Sequence, residues 1–89
     1  MNLDTDAIEA AVKAQVMKIA DSLGADASDL GNDEVIPATG LIDSAGLLDL
    51  IAWFEAAYQI KIPAEEFTID NLGTLSAMAR YLRRRKGLA

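Results

Sequence analysis

Ile8, Val12, Val16, Ile19 and Leu23 follow one another at steps of four, four, three and four. That spacing puts them on one face of a 3.6-residue period and commits the start of the chain to an amphipathic helix. Asp4, Thr5 and Asp6 offer capping oxygens, Glu9 stands three residues after Asp6 as in a capping box, and Gly24 is a natural stop. The first helix is therefore predicted from about Asp4 to Leu23. The same period returns twice. Leu48, Ile51, Phe54 and Tyr58 form an inward stripe for a second helix from Ser44 to about Gln59. Leu50 and Ala57 flank the stripe, while Leu47 and Trp53 fall off its centre. Leu75, Met78 and Leu82 mark the inward face of a last helix, capped by Thr74 and ending near Lys86-Gly87.

Between these segments the pattern is different. Residues 24–43 form a long connection with Gly24, Gly31, Pro37 and Gly40 and many small polar residues. Its apolar anchors are Leu30, Val35, Ile36, Leu41 and Ile42, so it is expected to pack across the other elements, with one short helical turn near Ser28 to Leu30. Ile60-Lys61-Ile62 alternates as a strand would, but three residues before Pro63 with no partner strand read as an extended link. Pro63-Ala64-Glu65-Glu66-Phe67 reads as a single helical turn, with proline at its first position and two carboxylates in that turn. Phe67, Ile69 and Leu72 are available to plug the core. An 89-residue chain of this kind makes one small domain, residues 1–89. The expected fold class is all-α: a four-helix bundle with a long loop between helices 1 and 2 and a very short third helix.

Composition removes several function classes. There is no cysteine and no histidine, so disulfides, thiolate catalysis and imidazole bases or ligands are excluded. Asp26, Asp29, Asp33 and Glu34 lack the spacing of a calcium loop, and no metal site is expected. Glu65 and Glu66 are adjacent and point apart on a turn, which argues against a paired catalytic dyad. Residues 1–79 hold all 14 carboxylates against Lys13, Lys18 and Lys61 alone, a net charge of −11; Arg80, Arg83, Arg84, Arg85 and Lys86 then give +5. An acidic body of this kind argues against nucleic acid and for basic protein partners, and the basic end suits a helix C-terminus. No apolar run is long enough to span a bilayer, and Met1-Asn2-Leu3-Asp4 lacks a signal-peptide pattern. A cytoplasmic, monomeric protein without membrane insertion is expected.

The chemistry concentrates at Gly40-Leu41-Ile42-Asp43-Ser44. Asp-Ser ahead of an amphipathic run is, taken alone, a helix cap. The same position also exposes a hydroxyl where a helix start offers positive partial charge to a phosphate, which makes it a good place for a covalent group. Trp53 could contact a partner, but is expected to pack at the edge of the core.

The order of elements resembles the acyl carrier protein family over nearly the whole chain. The most specific features are Asp43-Ser44 at the head of the second helix, the hydrophobic register after it, and Tyr58-Gln59-Ile60-Lys61-Ile62-Pro63 before the short turn. The resemblance implies that Ser44 receives 4'-phosphopantetheine from coenzyme A through a phosphopantetheinyl transferase, and that Asp43 helps engage the transferase and its magnesium. It implies transport rather than catalysis, with no catalytic residue in the chain. A loading ligase would place an acyl or aminoacyl group on the arm as a thioester, and a downstream acyltransferase or synthase would collect it. The family's usual motif is Asp-Ser-Leu, whereas here Ala45-Gly46 follows the serine, and the second helix carries only Asp49 and Glu55 as acids. Gly40 to Gly46 looks closer to the Gly-Leu-Leu-Asp-Ser-Met-Gly stretch of D-alanyl carrier proteins. Amino-acid or specialised cargo is therefore favoured over housekeeping fatty-acid synthesis. Ala45, Leu47, Asp49, Ala52, Glu55 and Ile69 are the expected partner-binding residues. The competing reading is a helical interaction module of the same fold without a prosthetic group.

Overall fold

The computed structural model describes residues 3–88; Met1, Asn2 and Ala89 lie outside it. The first helix, α1, spans Thr5–Ser22 and buries Ile8, Val12, Val16 and Ala20. The inward face thus runs at steps of four and finishes on Ala20. Leu23 lies beyond the last helical residue and is half exposed, so it does not belong to the stripe. The capping box does not form. Asp4 holds the N-cap position, and the Glu9 carboxylate instead accepts from the Ser76 hydroxyl at 2.9 Å.

The long connection runs to Asp43 and contains one short helix, α2 (Ile36–Thr39). The helical turn falls there rather than at Ser28 to Leu30, which make only a simple turn closed from Leu30 N–H to the Ala27 carbonyl. Pro37 explains the placement: its fixed φ suits the first turn of a helix and its missing N–H costs nothing there. Gly40 then ends α2 with φ of 74°, a left-handed conformation that side chains resist. Ala27, Leu30, Ile36 and Ile42 pin the connection to the core. Backbone bonds from Ile36 N–H to the Gly73 carbonyl and from Ser76 N–H to the Asn32 carbonyl fasten it to the start of the last helix.

Helix α3 spans Ser44–Tyr58. Its buried face is Gly46, Leu50, Ile51, Phe54 and Tyr58, with Leu47 half-buried beside them. Leu48 is not part of that face: it is 61% exposed. At 100° per residue Leu50, Phe54 and Tyr58 define the centre, and Leu48 lies about 200° round the helix from Leu50. Trp53 sits at the edge of the core as expected, with its ring centroid 6.5 Å from Phe54 and 6.1 Å from Tyr58.

The expected single turn after Pro63 is two pieces. A 3-10 turn covers Ala64–Glu66, with Pro63 at its N-cap, and a separate helix α4 covers Ile69–Leu72, capped by the Thr68 hydroxyl accepting from Asn71 N–H. Only Leu72 plugs the core; Phe67 and Ile69 are 42% and 59% exposed. The last helix, α5, spans Leu75–Arg85, and Thr74 caps it by accepting from Ala77 N–H at 2.9 Å. Arg83, Arg84 and Arg85 occupy its last turn, where positive charge suits the helix dipole.

α1 packs on α5 and on α3, and α4 packs on α5. Contacts from Arg83 to the Leu3 carbonyl and from Ser76 to Glu9 lay α5 antiparallel to the start of α1. The four-helix architecture therefore holds, with α1, α3 and α5 as the long members and the 3-10 turn plus α4 in place of the short third. No helix among the described residues is long and apolar enough to cross a membrane.

Tyr58 and Tyr81 are both buried, and burial pushes their hydroxyls above the ordinary value of 10.0; the Glu66 hydrogen bond adds to this for Tyr81, while Arg85 opposes it. The folded state therefore favours neutral phenols. Below pH 10 both states are protonated and this contribution is complete; above it the unfolded chain ionises first and the contribution is lost as pH climbs toward the folded values. The urea midpoint, followed by Trp53 fluorescence, is expected to fall above about pH 10, and to fall less in Tyr58→Phe.

Candidate functional site

At the head of α3 the backbone sets out a small division of labour. Asp43 is the N-cap residue and its carboxylate accepts from Gly46 N–H at 2.7 Å, while its carbonyl accepts from Leu47 N–H at 2.8 Å. Capping is thus carried by the aspartate. Ser44 is the first helical residue, exposed, and its hydroxyl is free of it. The N–H groups of Ser44 and Ala45 have no partner among the described residues, as the first turn of a helix requires. A phosphate esterified at Ser44 would meet these donors and the positive end of a 15-residue helix.

The other serines differ. Ser22 donates to the Ile19 carbonyl at 2.7 Å and Ser76 donates to Glu9; Ser28 donates its backbone N–H to Asp26 Oδ1 at 2.9 Å, and that bond, with a further one from the Ser28 side chain, holds the Asp26 carboxyl below its ordinary value. Among the described residues, Ser44 is the serine whose hydroxyl is exposed and uncommitted.

Gly46 fixes how α3 meets α1. A Cβ there would lie 2.8 Å from the Ile19 Cγ2 and 3.3 Å from both the Asp43 carboxylate and Ile42. Glycine lets the start of α3 close on the end of α1, and it keeps room for the Asp43 cap. The Ala45-Gly46 departure from the usual Asp-Ser-Leu is thereby given a packing reason at its second position.

The expected partner-binding residues separate into three groups. Ala45, Asp49 and Ala52 are exposed along α3. Leu47 and Ile69 lie together, in a shallow apolar groove of about 160 Å³ between α3 and α4. Glu55 stands apart: its carboxylate accepts from Ile62 N–H at 2.8 Å and so closes the Ile60 to Ile62 link onto α3. Asp49 is consequently the one acid on α3 whose side chain makes no hydrogen bond among the described residues. The groove also includes Pro37, Leu48, Ile51 and Phe67, residues whose spacing alone points to the core or the loop. For Leu48 the sequence allows two stripes, one centred on Ile51 that includes it and one centred on Leu50 that leaves it outside, and spacing alone does not choose between them.

Residues 16–82 match the family described as the phosphopantetheine attachment site. The D-alanyl carrier protein of Streptococcus thermophilus is 38% identical over 64 residues, covering 71% of this chain and 80% of that protein. Those of Streptococcus gordonii and Streptococcus mutans are 38% and 36% identical over the same length. No solved structure matches the chain significantly. The group that defines this family is a covalently held 4'-phosphopantetheine, and an exposed hydroxyl at a helix start fits its phosphodiester. Carrier proteins as a rule hold cargo for other enzymes, among them phosphopantetheinyl transferases and ligases, and do not catalyse its chemistry. With the motif, the helical order and both comparisons in agreement, the chain belongs to the family of phosphopantetheine-binding carrier proteins.

Proposed function

We propose that residues 1–89 act as one carrier domain, that Ser44 is its attachment residue, and that its cargo is an amino acid or another specialised acyl group. The observation that carries the attachment residue is the exposed Ser44 hydroxyl, left uncommitted because Asp43 does the capping. In the transferase the Ser44 Oγ bonds to the phosphorus that bears pantetheine in coenzyme A, the bridging P–O bond breaks, and adenosine bisphosphate leaves. The serine proton goes to a base of the transferase. Asp43 holds the helix start in place through its bond to Gly46 N–H and, as the acidic neighbour of Ser44, helps engage the transferase and its magnesium. Once attached, the arm supplies the thiol that the chain itself lacks. The protein is not a catalyst in this reading, and it works as a cytoplasmic monomer without nucleic acid. Its partners are the transferase, a loading ligase and a downstream acyltransferase or synthase, met through Ala45, Leu47, Asp49, Ala52 and Ile69.

The cargo reading is supported by D-alanyl carrier relatives and by an α3 with little free negative charge. To test it, the phosphopantetheinylated protein is incubated with ATP and either a D-alanine-adenylating ligase or a fatty-acyl ligase, and the intact mass is read. An aminoacyl thioester, released by hydroxylamine, is the expected product. Efficient loading with long acyl chains alone would contradict it.

A further inference from the structure

The 3-10 turn Ala64–Glu66 buries no side chain, yet it carries Phe67 and leads to Ile69, which form one wall of the apolar groove. What ties it to the body is a polar chain on α5. The Tyr81 hydroxyl donates to Glu66 Oε1 at 2.5 Å and accepts from Arg85 Nη1 at 2.7 Å. Because the arginine occupies the hydroxyl's acceptor side, its proton is directed to Glu66. The tyrosine itself is buried, and the guanidinium carbons of Arg85 and Arg84 stand 5.7 and 6.0 Å from its ring centroid. The Glu66 carbonyl accepts from Asn71 Nδ2 at 3.1 Å and from Thr68 N–H at 2.9 Å. The exposed Phe67 and Ile69 therefore lie in a segment pinned at Glu66 and at Asn71.

We propose that Tyr81 is a positioning residue: by holding Glu66 on α5 it sets Phe67 and Ile69 against Leu47 and Leu48 of α3, and so determines how well the phosphopantetheinyl transferase fits this groove. The proposal rests on the carrier reading and on the groove's being partner surface. Its consequence is a remote one. Tyr81 lies on a different helix from Ser44, yet its hydroxyl governs how the carrier is bound rather than the transfer itself.

The test is Tyr81→Phe, which keeps the ring, its packing and its arginine neighbours and removes one oxygen. Two quantities are read: amide hydrogen exchange across residues 64–69, and KM and kcat of a phosphopantetheinyl transferase for the carrier. Exchange at 64–69 is expected to quicken while α1 stays protected. KM is expected to rise roughly two- to tenfold, the size of one lost hydrogen bond, with kcat unchanged. Glu66→Leu should give the same shift, Glu66→Gln a smaller one because it keeps an acceptor, and the Tyr81→Phe/Glu66→Leu double variant no more than either alone. Faster exchange with an unchanged KM, or additive effects in the double variant, would overturn the positioning role. A wild-type protein that takes no arm at all would overturn the attachment reading and with it this role in partner binding; the exchange measurement would still decide whether Tyr81 holds the turn.

Discussion

Ser44→Ala is expected to abolish phosphopantetheine attachment completely and to leave folding stability within about 0.5 kcal/mol of the wild type. Both halves follow from the head of α3. The hydroxyl is the group there that can form a stable phosphodiester: the Asp43 carboxylate is engaged in the cap and would give only a labile acyl phosphate, and Ala45 and Gly46 have no functional group. It also makes no hydrogen bond whose loss would matter, since the Asp43 carboxylate satisfies Gly46 N–H. Alanine at the first helical position keeps the helix. Intact mass after treatment with coenzyme A, magnesium and a transferase checks the first half, and a urea titration the second. A variant that lost modification by unfolding would show a shifted midpoint and would say nothing of Ser44 chemistry.

Phe54→Ala carries the largest expected cost in stability, about 3–5 kcal/mol. Phe54 is fully buried at the centre of α3 and stacks edge-on against Tyr58, with ring centroids 5.2 Å apart. Removing the ring leaves a void among Trp53, Tyr58 and the facing helices, and edge-to-face contacts add to the loss. A domain of this size has a total stability of roughly 5–15 kcal/mol, so the variant should unfold partly under mild conditions. The urea midpoint, read by Trp53 fluorescence and by helical circular dichroism, measures it. A loss below about 1 kcal/mol would mean that α3 does not form the centre of the core.

The long helices were legible because their patterns are long. Ile8, Val12 and Val16 on α1, and Leu75, Met78 and Leu82 on α5, lie where their spacing placed them. The caps Asp43 and Thr74 were legible for a local reason: an oxygen-bearing residue ahead of an apolar run satisfies orphan N–H groups. What failed was decided by tertiary contact. Glu9 had two possible partners, its own helix start or Ser76 across the bundle, and spacing cannot rank them. Leu48 and Leu50 are equivalent as apolar residues, and only the neighbouring helices determine which faces inward. Phe67 and Ile69 look like core residues until the 3-10 turn and α4 prove too short to bury them. The candidate site was legible at Asp43 and Ser44 because its chemistry is local. The groove was half legible, through Leu47 and Ile69, because it is assembled from α2, α3 and the segment around α4.

The central claim is that the arm is carried by Ser44 and by no other hydroxyl. Holo-protein produced with coenzyme A, magnesium and a transferase can be digested, and the modified peptide sequenced by tandem mass spectrometry. One phosphopantetheine on the peptide containing Ser44, with Ser22, Ser28 and Ser76 unmodified, is the predicted result. Modification at another serine or threonine, or none in the folded protein with several transferases, would contradict it.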